Sequence, residues 1–170
     1  MTEIPERAER AFSGHEAFER DGEWFVVTTT RFDGRVTASE TDDWELAYRL
    51  VVRTPMLSAT VDGEVGDAVE AGWFDTFERR LEDAPSVTRT DVDLESVTLA
   101  EEGDEAVAEF AFEVGNADRA PDVVKAFAEY VEGTYVEGVI PGYDYEGVVA
   151  DLLGEAATGG EGGQRGGTPL

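Results

Sequence analysis

The stretch Trp44-Glu45-Leu46-Ala47-Tyr48-Arg49-Leu50-Val51-Val52-Arg53 decides how this chain folds. Leu46, Tyr48, Leu50 and Val52 alternate with Ala47, Arg49, Val51 and Arg53. Successive side chains of a strand point to opposite faces, so this period of two marks a half-buried strand. One face is apolar and aromatic, and the other carries arginine. The remaining apolar segments read as elements that cover the first face. Before it, Trp24–Phe32 is rich in aromatic and β-branched residues and reads as a strand. Asp33-Gly34 has the form of a two-residue hairpin turn, with Arg35–Glu40 returning as a short strand. After it, Thr54-Pro55 stops the strand, because proline offers no N–H to a ladder. Leu57–Val61 alternates again and predicts a further strand, closed by Asp62-Gly63.

Further out the period changes. Residues 3–20 read as one helix, with Thr2 as its cap, Pro5 in its first turn and Ile4, Ala8, Ala11, Phe12, His15 and Phe18 on one side. Val69, Trp73, Phe77 and Leu81 recur at i+4 and predict a helix over 65–81, broken at Asp83-Ala84-Pro85. Val92, Leu94, Val97 and Leu99 form a strand whose phase slips between Leu94 and Val97, the mark of a bulge. A turn at Glu101–Asp104 leads to Ala106, Ala108, Phe110, Phe112 and Val114 at period two. Pro121 opens another helix, striped with Val123, Val124, Phe127, Tyr130 and Val131. Gly133–Tyr145 reads as a connector, followed by a short helix around Val148–Leu153. The expectation is therefore an α+β domain over residues 1–155. It has an antiparallel sheet of five to six strands with helices mainly on one face, in the order α-β-β-β-(β)-α-β-β-α-α. From residue 156 to 170 the Gly-rich composition predicts a disordered tail.

Charge bounds the function. The 170 residues carry 39 acidic against 13 basic side chains, a formal net charge of -26. Lys125 is the sole lysine, and isoleucine occurs only at positions 4 and 140. The acids are spread between apolar residues at ordered spacing, and 41% hydrophobic content is that of a folded domain, not of an acidic tail. Such a surface repels itself in dilute buffer, and salt screens that repulsion. The composition resembles that of cytosolic proteins of salt-accumulating haloarchaea. Nucleic acid is not an expected partner, since Arg31/Arg35, Arg49/Arg53 and Arg79-Arg80 are each flanked by acids. The apolar runs are too short for a bilayer, and Met1–Arg7 has no signal-peptide pattern, so no membrane role and a cytoplasmic location are expected.

The chemistry is sparse. With no cysteine and one histidine, ordinary zinc sites and disulfides are excluded. No phosphate-binding glycine loop and no nucleophile elbow occur. Asp62–Asp67 has acids at calcium-loop spacing without the EF-hand pattern. No catalytic residue, cofactor or metal ligand is assigned, and His15 reads as a packed, hydrogen-bonded residue. Two sets stand out. Trp73, Phe74 and Phe77 form either core or an exposed interface, most simply of a homodimer. Tyr135, Tyr143 and Tyr145 form either a packed connector that folds over that helix or a binding loop.

The order of elements in Trp24–Phe32, Trp44–Arg53, Leu57–Val61, the Trp73/Phe77 helix and the last strand pair resembles the fold of type III secretion chaperones and YbjN-like proteins. The chain also looks like one of the small uncharacterised families of haloarchaea. The first resemblance implies a non-catalytic, dimeric, chaperone-like adaptor that binds a polypeptide on apolar patches. The alternative is a small-molecule-binding domain or enzyme with a pocket between sheet and helices. A cavity shared by Tyr48, Arg49 or Arg53, His15 and a buried acid favours the latter. A closed core with an exposed aromatic helix favours the adaptor.

Overall fold

A computed structural model describes residues 4–41 and 45–164. Its frame is a six-stranded antiparallel sheet in the order β1-β2-β3-β4-β7-β6, where β1 is Phe18–Asp21, β2 Trp24–Val27, β3 Asp33–Glu40, β4 Leu46–Pro55, β6 Asp93–Glu102 and β7 Glu105–Val114. The anchor strand sits in the middle. It pairs with β3 from Asp33↔Arg53 to Glu40↔Leu46 and with β7 from Leu46↔Val114 to Pro55↔Glu105. Trp44 lies outside the described residues. The expected alternation holds: Leu46, Tyr48, Leu50 and Val52 are buried, while Arg49 is exposed.

Helices α1 (Glu6–Ser13), α2 (Asp67–Leu81) and α3 (Ala120–Glu137) bury their apolar sides in one cluster with the inward face of the sheet. Helix α4 (Gly147–Gln164) adds Val149 and Leu152. The fold is thus α+β, as the period changes predict. Pro121 lies in the first turn of α3, where its missing N–H costs little. The bulge in β6 falls between Leu94 and Ser96.

Four local expectations are corrected. The first helix does not run to residue 20. It ends at Ser13, with Gly14 N–H closing on the Arg10 carbonyl, and Phe18–Asp21 is strand β1. The hairpin turn is therefore Gly22-Glu23, between the paired Asp21 and Trp24, and Gly22 takes the left-handed φ of +64° it requires. Asp33-Gly34 is no turn but the start of β3, and a Cβ on Gly34 would stand 3.3 Å from Val27 Cγ2. The β2–β3 connection is held instead by Glu132 of α3, whose carboxylate accepts the Arg31 and Phe32 amides. Leu57–Thr60 is a 3-10 turn. Only β5 (Val61–Asp62) is extended there, and it pairs with β8 (Asp144–Tyr145) outside the main sheet. Gly133 does not break α3, which continues to Glu137. Helix α4 runs from Gly147 to Gln164.

Candidate functional site

Helix α2 separates its aromatics. Residues four apart share a face and a neighbour turns away by about 100°, so Trp73, Phe77 and Leu81 point into the core and are at most 4% exposed. Tyr135 of α3 covers them, with its ring edge-on to Trp73 at 5.5 Å and to Phe77 at 5.6 Å. Its hydroxyl donates to the Pro55 carbonyl at 2.9 Å, and burial pushes its pKa up. This corrects two readings. Trp73 and Phe77 offer no exposed interface, and Tyr135 belongs to a helix in the core, not to a loop. The cover over Trp73 comes from α3, because the helix outruns the glycine that looked like its end.

Phe74 turns sideways and stays half-buried. It borders an open cleft of about 350 Å³ with Met56, Ala71 and the carboxylates of Asp67, Glu70, Asp75 and Glu101. Three elements build it. Met56 follows the end of β4, and its N–H donates to the Asp104 carbonyl at 2.7 Å, which fixes the β6–β7 turn beside it. Glu70 accepts the Ser58 amide at 2.7 Å and ties α2 to the 3-10 turn. The result is an apolar floor of Met56, Ala71 and Phe74 inside an acidic rim.

The other two tyrosines do not join Tyr135. Tyr145 braces its own turn, since its hydroxyl donates to the Ile140 carbonyl at 2.5 Å and accepts the Ile140 amide at 2.9 Å. Tyr143 is half-buried two residues away. His15 lies beyond α1. Its Nδ1 accepts the Ala17 amide at 3.1 Å, which places the ring proton on Nε2, and Nε2–H donates to Asp122 Oδ1 at 2.8 Å. The pair clasps the α1–β1 link to the first turn of α3.

The arginines of β4 lie on the opposite face from Tyr48. Arg49 forks onto Glu109 at 2.7 and 3.3 Å, and Arg53 meets Glu105 at 3.2 Å and Glu102 at 3.5 Å. Strand alternation therefore keeps Tyr48 and these arginines from sharing a cavity. A second cleft, which the sequence did not signal, lies between α1 and the 3-10 turn Ala117–Arg119. Arg7, Arg10 and residues 115–118 line its volume of about 330 Å³. Among the described residues, no group of three or more His, Asp or Glu side chains can hold a metal ion. No described helix is long and apolar enough to cross a membrane.

These features define a helix-covered antiparallel sheet with one acid-rimmed apolar cleft at the end of its central strand. Over residues 13–155 the chain matches a family of unknown function (DUF5813), and it belongs to that family. No curated protein and no solved structure matches it.

Proposed function

We propose that this chain is a protein-binding adaptor, chaperone-like and non-catalytic, that takes a short segment of a partner polypeptide in the Phe74 cleft. The observation that carries this is the fate of the α2 aromatics. Trp73 and Phe77 are consumed by the core, while Phe74 is left half-buried beside an open cleft. Aromatic side chains in partly open pockets are the usual anchors of interfaces. The rim of Asp67, Asp75 and Glu101 selects the occupant by charge: an apolar side chain flanked by lysine or arginine. The same rim repels the phosphates of nucleic acid.

The test is selection from a displayed peptide library in molar KCl. Apolar segments with basic flanks should be enriched by the wild type and lost with Phe74→Ser, while Tyr143→Ser should retain them. Equal enrichment by Phe74→Ser overturns the reading. A homodimer through this face would show instead as a wild-type mass doubled in light scattering and halved by Phe74→Ser.

The adaptor reading includes a salt-rich cytosol as its setting. Unfolding should be cooperative in molar KCl and shift to lower temperature on dialysis toward 0.1 M, as the Debye length grows from about 3 Å to about 10 Å. A melting temperature independent of salt removes the halophilic part of the proposal.

A further inference from the structure

The sheet has a second face, and at its centre the charges are sorted by strand. The helices bury their apolar sides against the other face. Here Arg49 and Glu109 keep 53% and 38% of their side chains exposed, and Ala47, Val51 and Ala111 are half-buried. On β4 the charged residues of this face are Arg49 and Arg53. On β7 they are Glu105, Glu109 and Glu113. The two central strands therefore carry opposite signs side by side.

Register adds a second order. Ala47 pairs with Glu113, Arg49 with Ala111, Val51 with Glu109 and Arg53 with Val107. Every long charged side chain thus stands beside a short uncharged one, and the charge changes strand from each pair to the next. The result is a checkerboard of size and of sign.

Pairing within the chain leaves part of this pattern unused. Arg49 gives Nε and Nη2 to Glu109, and Arg53 gives Nη1 to Glu105 and Glu102. A guanidinium has five N–H donors, so both arginines can hold a further carboxylate. Glu113 has the opposite lack. The charges that act on it are those of Glu95, Glu45 and Asp93, and its hydrogen bond is with Glu95.

A two-fold axis that runs along the strands, between β4 and β7, answers both. It lays β4 of one copy over β7 of the other, each row on the matching row. Arg49 then points at the second copy's Ala111, between Glu109 and Glu113 of that strand. Glu109 points at the second copy's Val51, between Arg49 and Arg53. Long side chains meet short ones, as the interdigitation of facing sheets requires, and each charge enters a notch of opposite sign. An axis across the strands would instead lay β4 on β4, like sign on like.

We propose that the open face of the sheet is the contact surface of a two-fold homodimer, in which the β4 arginines of each copy pair with the β7 glutamates of the other. β3, β4, β7 and β6 would overlap over roughly 650 Å² per copy, from strand spacings of about 4.8 Å and a rise of about 3.4 Å per residue. A standard interface takes about 800 Å² per partner. With charges at its centre the contact is of the weak, concentration-dependent kind, so dilute protein stays as single chains. Two bodies of formal net charge -26 repel at long range, and molar salt removes that repulsion while screening desolvated pairs less. The face is separate from the Phe74 cleft, whose Glu101 pairs with the buried Ala106 on the helix side of the sheet.

Light scattering of the full-length protein in molar KCl, at rising concentration, tests this. Wild-type mass should climb toward twice that of one chain. Arg49→Glu sets like charges against Glu113, and Glu113→Arg sets them against Arg49. The two-fold repeats each clash, so each variant should self-associate at least about 100-fold more weakly. Their equimolar mixture should recover the doubled mass, because each variant carries the charge that the other has lost. Mixing cannot restore an ion pair inside one chain, so the recovery reads the contact between chains. A wild type that keeps the mass of one chain overturns the proposal. So does a doubled mass that neither variant lowers, as a dimer through Phe74 would give, and so does a mixture that stays monomeric. Peptide selection through Phe74 is read independently, so either surface can fail without the other.

Discussion

On the covered face of β4, Leu46, Tyr48, Leu50 and Val52 are each at most 2% exposed, and their neighbours on β7 are Phe110, Phe112 and Val114. On the open face of the same strand, Arg49 and Arg53 reach across to Glu109 and Glu105, and Trp24 lies 5.9 Å under the Arg49 guanidinium. The backbone hydrogen bonds are shared, so only the side chains differ. The covered face holds the sheet to its helices through area removed from water. The open face holds its charges in pairs that solvent and salt screen. In a protein this acidic, pairing these two arginines with carboxylates chiefly limits repulsion.

The contrast is broken most strongly from the covered side. Trp73→Ser removes a core indole that touches Phe77 and Tyr135, and should cost about 3–5 kcal/mol in denaturant unfolding at molar salt. Light scattering should show no change of mass, since the ring is covered within the chain. A loss of mass with little loss of stability would place Trp73 at an interface after all. Tyr135→Phe keeps the packing and leaves the Pro55 carbonyl without its donor, which should cost about 1–2 kcal/mol. Arg49→Ala, on the open face, should cost at most about 1 kcal/mol, and that difference should shrink as salt is added.

The smallest effect concerns the open face alone. Glu113 shares a hydrogen bond with Glu95, which together with desolvation and the surrounding acids holds its carboxyl above the usual range. Its contribution to stability is full at pH below the ordinary glutamate range and is lost as pH rises through the raised value. Glu113→Gln should therefore flatten that stretch of the stability–pH curve. A curve that keeps its shape in the variant would assign the slope to other carboxylates.

The elements legible in the sequence were those whose period is long and whose surroundings agree with it. β4, β7 and α2 each repeat their apolar residues often enough to leave one solution, and the β6 bulge showed as a slip of phase. Single punctuation marks were less informative. Asp21-Gly22 and Asp33-Gly34 are the same dipeptide, yet only the first turns the chain. Packing against Val27 and the Glu132 carboxylate, about a hundred residues distant, decide between them. Gly133 costs about 1 kcal/mol in a helix, and burial of Val131 and Tyr135 on either side outweighs it. The Phe74 cleft was half legible, because the aromatic set was visible but not which member stays outside. The Arg7–Asp118 cleft was not legible at all, since its walls meet only once α1 and the end of β7 are brought together.

The irregularity between Leu94 and Ser96 has a consequence for how these molecules behave in a crowd. β6 ends the sheet, and among the described residues no strand pairs with its outer edge, which leaves a row of backbone groups open to another strand. The bulge spoils the register of any visiting strand over the first part of β6, and Asp93, Glu95, Glu101 and Glu102 place charge at both ends of it. Only Val97–Ala100 is regular and uncharged. The bulge works at any ionic strength, but the charges do not. Added salt therefore weakens half of the protection against edge-to-edge polymerisation, leaving a backbone kink to keep neighbouring sheets apart.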